Sequence, residues 1–273
     1  MIGKIDRRLT RSIAAMALIL ATAGAAQATN ITPGFDDIPT GWSVDRYAPH
    51  SFTNVGSFAG RNDVLGIEIT SAEGLTSRTA GKQTSFFNTQ GMKHDVSGSA
   101  GDIISADLYV PTAWGNEANG TVRTDIWGVM DDGSGISGYP ILGFTNYGGT
   151  ARFQAWEDTS GAWVDLGVAI NFDDWNTLAI EFTGTDTYNF FVNDVLVYTD
   201  TTANGSTGYQ SIIIQAYNFF DDPAYGDANA VDYTAYWANS SSVAVPEPGA
   251  LAMIGFAIAA FGVARRRRGM PRG

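Results

Sequence analysis

Hydrophobic and polar positions alternate with a period of two through most of the chain, and turn residues interrupt the alternation about every 8–14 positions. Residues 103–110 put Ile104, Leu108 and Val110 on one face, and 177–182 put Leu178, Ile180 and Phe182 on one face. Residues 188–192 do the same with Tyr188, Phe190 and Val192, residues 210–217 with Ile212, Ile214 and Ala216, and 231–237 with Val231, Tyr233, Ala235 and Trp237. The first strands are expected around 34–44 and 64–70. Between the strands lie Asp131-Asp132-Gly133-Ser134-Gly135, Gly148-Gly149 and Thr183-Gly184-Thr185-Asp186, whose residue types favour turns. No segment between the two ends repeats apolar residues at helical spacing over twelve or more positions. The pattern predicts an all-β protein: one antiparallel β-sandwich over residues 29–238.

The ends differ from the body. Lys4, Arg7, Arg8 and Arg11 precede an uncharged run, Ser12 to Ala25, and Ala26-Gln27-Ala28 supplies small residues at a peptidase site. This is the build of an export signal, residues 1–28, removed by signal peptidase. A short polar linker is expected over 239–245. Near the C-terminus, Gly249 to Ala264 is uncharged, about 24 Å of helix at 1.5 Å per residue. That predicts a short transmembrane helix, 249–264, which the basic block Arg265, Arg266, Arg267 and Arg268 would hold on the cytoplasmic side.

Pro246, Glu247 and Pro248, followed by the apolar stretch and the arginines, closely resemble the PEP-CTERM sorting tail of Gram-negative bacteria, here residues 246–273. The resemblance implies an inner-membrane-anchored precursor, processed by an exosortase-type protease and delivered to the cell surface, the extracellular space or a biofilm matrix. A second resemblance lies in the body. Trp175–Phe182, a short turn, Tyr188–Val192 ending in Asn193-Asp194, and the returning Val195-Leu196-Val197 are similar to the laminin-G or concanavalin-like jelly roll. In that family Gly usually follows the Asn; here Asp194 stands in its place, which leaves the turn type open.

The chain contains no Cys, which excludes disulfides, Cys-ligated zinc and Cys nucleophiles. Net charge is −12 over the whole chain. The two ends hold nine of its 16 bases and two of its 28 acids; residues 29–245 therefore keep seven bases and 26 acids, a net −19. Such a body repels phosphate backbones, so nucleic acid is not an expected partner. By the same reasoning, acidic polysaccharides are expected to bind poorly unless a divalent cation bridges them.

The chemistry-bearing residues favour binding over catalysis. His50 and His94 are the only histidines, both expected in loops, and no Gly-x-Ser-x-Gly elbow occurs. The Glu-x-Asp-x-x-Glu string of concanavalin-like glucanases is absent, and no two of Glu68, Glu73, Glu117, Glu157 and Glu181 stand two residues apart. The expectation is that the protein is not an enzyme. Polar and aromatic side chains share strand faces instead: Arg123, Asp125 and Trp127; Arg152, Gln154 and Trp156; Gln215 and Tyr217. Asp107 with Tyr109, and Asp232 with Thr234 and Tyr236, show the same alternation. Flat aromatics beside amide, carboxylate and guanidinium groups suit sugar rings and their hydroxyls. Arg123, Asp125, Trp127, Arg152, Gln154, Trp156 and Tyr217 are thus the candidate polysaccharide-binding residues, Trp127 and Trp156 foremost. Calcium is the one cofactor considered, with Asp131, Asp132, Asp221, Asp222 and Asp227 as loop oxygen ligands. The expected role is a non-catalytic surface or matrix protein that binds glycan. A purely structural or adhesive biofilm component and a polysaccharide-active enzyme with a different kind of site are the alternatives.

Overall fold

The computed structural model describes residues 28–239 except 185, 203 and 226–228. The expected signal segment up to Gln27, the sorting tail with Pro246–Pro248 and Arg265–Arg268, the transmembrane helix 249–264 and Asp227 lie outside the described residues. No helix among the described residues is long and apolar enough to cross a membrane.

Two antiparallel sheets face each other. One carries β1 (Trp42–Val44), β4 (Thr89–Asp95), β14 (Gly208–Tyr217), β6 (Arg123–Asp131), β8 (Ile141–Thr145), β9 (Arg152–Glu157) and β10 (Ala162–Leu166) in that spatial order, with the short β7 (Ile136–Gly138) beside β6. The other is ordered β13 (Val195–Thr201), β12 (Thr187–Val192), β11 (Asp174–Gly184), β5 (Ile103–Val110), β15 (Tyr233–Asn239), β3 (Leu65–Ile69) and β2 (Ser51–Asn54). Long connections pass between the sheets, and the only helical pieces among the described residues are short 3-10 turns. This is the antiparallel sandwich that the alternation predicts, in the jelly-roll form that the resemblance implies.

The inward set matches the periodicity. Ile104, Leu108, Val110, Leu178, Ile180, Phe182, Tyr188, Phe190 and Val192 pack from one sheet against Ile126, Leu142, Phe144, Phe153, Ile212 and Ile214 from the other. Trp237 is fully buried between them, and its indole N–H donates to Thr124 Oγ1 at 3.0 Å. Tyr233 reaches across in the same way. Its hydroxyl lies 2.8 Å from the Arg123 carbonyl and 2.7 Å from that of Tyr217, and it accepts the Tyr217 N–H. A buried polar tip without such a partner would cost about 1–3 kcal/mol, so these contacts fix how β15 seats against the ends of β6 and β14.

The turn left open by the sequence is now settled. Asn193 and Asp194 both adopt positive φ, 50° and 63°, as the two central residues of a type I′ hairpin turn must. Several boundaries differ from the sequence reading: Val231 precedes β15, and Thr183 and Gly184 still belong to β11. His94 lies within β4 and packs edge-on against Trp42 rather than sitting in a loop. The segment 34–44 forms a strand only from Trp42 onward. Asn239, assigned to the linker, ends β15, where its amide donates to the carbonyls of Thr32 and Pro33.

Candidate functional site

The outer face of the eight-stranded sheet is built from two neighbouring cross-strand rows. One is aromatic and apolar. Paired positions run Lys93, Ile213, Trp127, Ile141, Trp156 and Trp163 across β4, β14, β6, β8, β9 and β10. The other is polar and runs Gly91, Gln215, Asp125, Gly143, Gln154 and Asp165 across the same strands. Because side chains alternate along each strand, two positions away from a row lands on the same face. The aromatic row therefore lies beside the polar one, with Arg123, Thr145 and Arg152 in a third row beyond it.

A groove of about 300 Å³ opens here, lined by Arg46, Arg123, Trp127, Tyr139, Ile141, Trp156 and Trp163. Trp156 and Trp163 meet at 5.3 Å with their rings tilted by 66°, and Trp127 meets Tyr139 at 6.1 Å. The Arg46 guanidinium lies 4.5 Å from the Trp127 ring and that of Arg123 4.3 Å from Trp163, so each cation is stacked on an aromatic face.

Below the groove lies a buried polar group. Asp125 is wholly inaccessible; its Oδ2 accepts from Arg123 Nε at 2.9 Å and from the Gln215 amide. Asp125 Oδ1 has no protein partner, and a Cβ at residue 143 would stand 1.9 Å from it. Gly143 is the register partner of Asp125, so this carboxylate fits only because that position has no side chain. Gly91 serves Gln215 in the same way, since a Cβ there would stand 2.4 Å from the Gln215 Cβ. Burial raises the Asp125 carboxyl above the ordinary range, although Arg123, Trp127 and Gln215 oppose the shift. Asp45, at the end of β1, is likewise raised by burial against the pull of Arg46 and Lys93. Its N–H donates to the Gly91 carbonyl, which places it at the β4 end of the polar row.

The seven sugar-site candidates all belong to this sheet. Arg123, Asp125, Trp127, Gln154 and Trp156 share its outer face, and the Arg123 guanidinium lies 5.3 Å from the Tyr217 ring. Arg152 is turned toward Asp165, 2.6 Å away, at the β9–β10 edge, and does not line the groove. Tyr217 is nearly buried, with its hydroxyl donating to Asp222. Asp107, Tyr109, Thr234 and Tyr236 stand on the opposite sheet, where Tyr109 and Tyr236 pack under Phe58 and Asp107 pairs with Arg61. Period-two reading cannot assign strands to sheets, which is why it grouped these with the others. Arg46, Tyr139, Trp163 and Asp45 escaped it. Trp163 had a usable signal: the turn residues Asp158 to Gly161 separate it from Trp156, and a hairpin there pairs the two. Arg46 comes from an irregular segment with no such signal.

The calcium candidates do not converge. Asp131 and Asp132 sit by the start of β14 and use their oxygens on Gly133, Ser134 and Gly135. Asp221 and Asp222 follow the other end of that ten-residue strand, about 30 Å away at strand rise. There Asp222 accepts from Ser85, Asn88 and Tyr217, and Asp221 from Thr76. Among the described residues no three acidic or histidine side chains gather as a metal would need.

The C-terminal stretch 244–268 matches the model of the PEP-CTERM protein-sorting motif, so the chain carries the sorting signal of an exported protein. No curated protein matches the sequence. Similar solved structures include Bacillus licheniformis β-glucanase, at 14% identity over 78% of this chain and 97% of that one, with a TM-score of 0.45. The laminarinase catalytic domain of Thermotoga maritima matches at 12% identity over 78% and 96%, with a TM-score of 0.47. The carbohydrate-binding module CBM66 from Bacillus subtilis matches at 14% over 69% and 93%, with a TM-score of 0.36. Most of these similar structures are glycoside hydrolases, and the expectation that the chain is not an enzyme is corrected on that finding.

Proposed function

We propose that this exported protein is polysaccharide-active and that the groove on the outer face of its eight-stranded sheet is where the chain of sugars lies. The observation that carries the reading is the adjacency of aromatic rings and guanidiniums in one groove. Trp156 and Trp163, both partly exposed, offer apolar ring surface to pyranose rings, while Arg123 and Arg46 offer hydrogen-bonding groups along the same path. The rows run across the strands, so an extended glycan would cross β6, β8, β9 and β10 in turn.

Cleavage is the second reading, favoured by a partly exposed carboxyl group beside the groove. Departure of a glycosidic oxygen needs a carboxylic acid that keeps its proton and can reach that oxygen; Asp45 is partly exposed beside Arg46, and burial moves it in that direction. The test is one experiment with two readouts on the full chain. Retardation in gels cast with soluble polysaccharides reports binding, and release of reducing ends reports cleavage. Retardation weakened by Trp156→Ala and Trp163→Ala supports the groove. Release lost in a folded Asp45→Asn variant supports cleavage. Neither retardation nor release by a folded protein across neutral and acidic polysaccharides refutes both.

A further inference from the structure

The charges of this body are not spread evenly. Of its seven bases, Arg46, Lys93, Arg123 and Arg152 stand on or beside the outer face of the eight-stranded sheet. Four acids there, Asp45, Asp95, Asp125 and Asp165, are each paired with one of them, while Asp158, which accepts from the Tyr139 N–H at 3.0 Å, has no basic partner among the described residues. The face is therefore only weakly acidic on a body of net −19, and most of the acidity that repels anions resides elsewhere.

Within the groove two guanidiniums keep unused hydrogen-bonding capacity. Arg123, which lines the groove, engages Asp125 through Nε alone, so neither Nη atom makes a side-chain hydrogen bond among the described residues. Arg46 approaches Asp45 only to 3.6 Å and makes no hydrogen bond among the described residues. The positive charge of Arg123 is among the influences on Arg46, so the two are close enough to repel. Two like charges held over an aromatic floor are relieved by one anionic group placed between them. A guanidinium is also the side chain whose planar fork matches a carboxylate. The carboxylates now facing them are the partners that burial disfavours in charged form.

We propose that the groove prefers acidic sugars, holding a uronic-acid unit with its ring against Trp156 and Trp163 and its carboxylate between Arg46 and Arg123. This rests on the reading of the face as a polysaccharide site. It differs from what net charge alone suggests, because a sugar carboxylate a few ångströms from two arginines feels them more strongly than acids beyond a screening length of about 8–10 Å.

Titration calorimetry of the full chain tests it, in EDTA, with a hexuronic-acid tetramer and the same tetramer after reduction of its carboxylates to hydroxymethyl groups. The ring shapes match and only the charge differs. The acidic tetramer is expected to bind at least tenfold tighter, as one charge-assisted bidentate contact would give. Arg46→Gln should cut that ratio to about threefold or less, whereas Arg46→Lys should retain part of it. Arg46 is the residue to change first, because Arg123 also neutralises a buried carboxylate. Equal or tighter binding of the reduced tetramer overturns the preference and leaves the polysaccharide reading intact. Absence of binding to either, by a chain with an unaltered near-ultraviolet dichroism spectrum, overturns both. Acidic binding that appears only when calcium replaces EDTA also overturns the preference, because a cation would then be the bridge.

Discussion

Replacing Arg123 with Ala removes the only cation that touches Asp125 among the described residues. The carboxylate is wholly buried, its Oδ1 already lacks a hydrogen bond, and the Gln215 amide would be the remaining donor to Oδ2. Breaking a buried pair in this way costs about 3–5 kcal/mol. A sandwich of this size loses about 2–4 °C of melting temperature per kcal/mol, so a drop of roughly 6–20 °C is expected near neutral pH. The cost should depend on pH, with a definite sign. Asp125 already titrates above 3.8, and loss of Arg123 raises it further. A folded-state pKa above the unfolded one means that the native state binds more protons between the two values. Stability is then greatest below the unfolded value and is lost as pH rises through the folded one. The variant should therefore lie closest to wild type near pH 4 and fall away toward pH 7. Asp125→Ala with Arg123→Ala should recover part of the neutral-pH loss, since neither charge is left stranded. Urea unfolding of the four proteins at pH 4, 5.5 and 7 reads this directly. If the two single losses at pH 7 add within about 0.5 kcal/mol, or if the Arg123→Ala cost grows on acidification, the account of this pair is wrong.

Two further predictions follow from glycine positions and turn geometry. Gly143→Ala should destabilise by about 1–3 kcal/mol in urea, because its Cβ would overlap Asp125, whereas Gly167→Ala, with nothing within 4 Å, should stay within about 0.5 kcal/mol. Asp194→Gly should raise stability by about 0.5–1 kcal/mol in thermal unfolding, because its φ of 63° is costly for a side-chain-bearing residue and natural to Gly.

Most inward-facing residues of β5, β11, β12 and β14 were legible in the sequence, because burying one face of a strand demands apolar residues at every second position. So was the polar and aromatic character of the alternate positions on β6 and β9, and so was the sorting tail, whose parts are contiguous. What alternation does not encode is which strands share a sheet. Asp107 with Tyr109 and Arg123 with Trp127 read alike, yet the antiparallel ladder puts the first pair on β5 and the second on β6, whose outer faces point in opposite directions. The groove itself is tertiary. Arg46 arrives from an irregular segment and Trp163 from a hairpin, and the glycines at 91 and 143 matter only because registry sets them against Gln215 and Asp125. Local propensity acts through neighbours in sequence, while a site of this kind depends on pairing between residues as far apart as Asp125 and Gln215. The chain alone thus determined most of the strands, their buried faces and the sorting tail. The pairing of the strands decided which polar faces meet and where a ligand would lie.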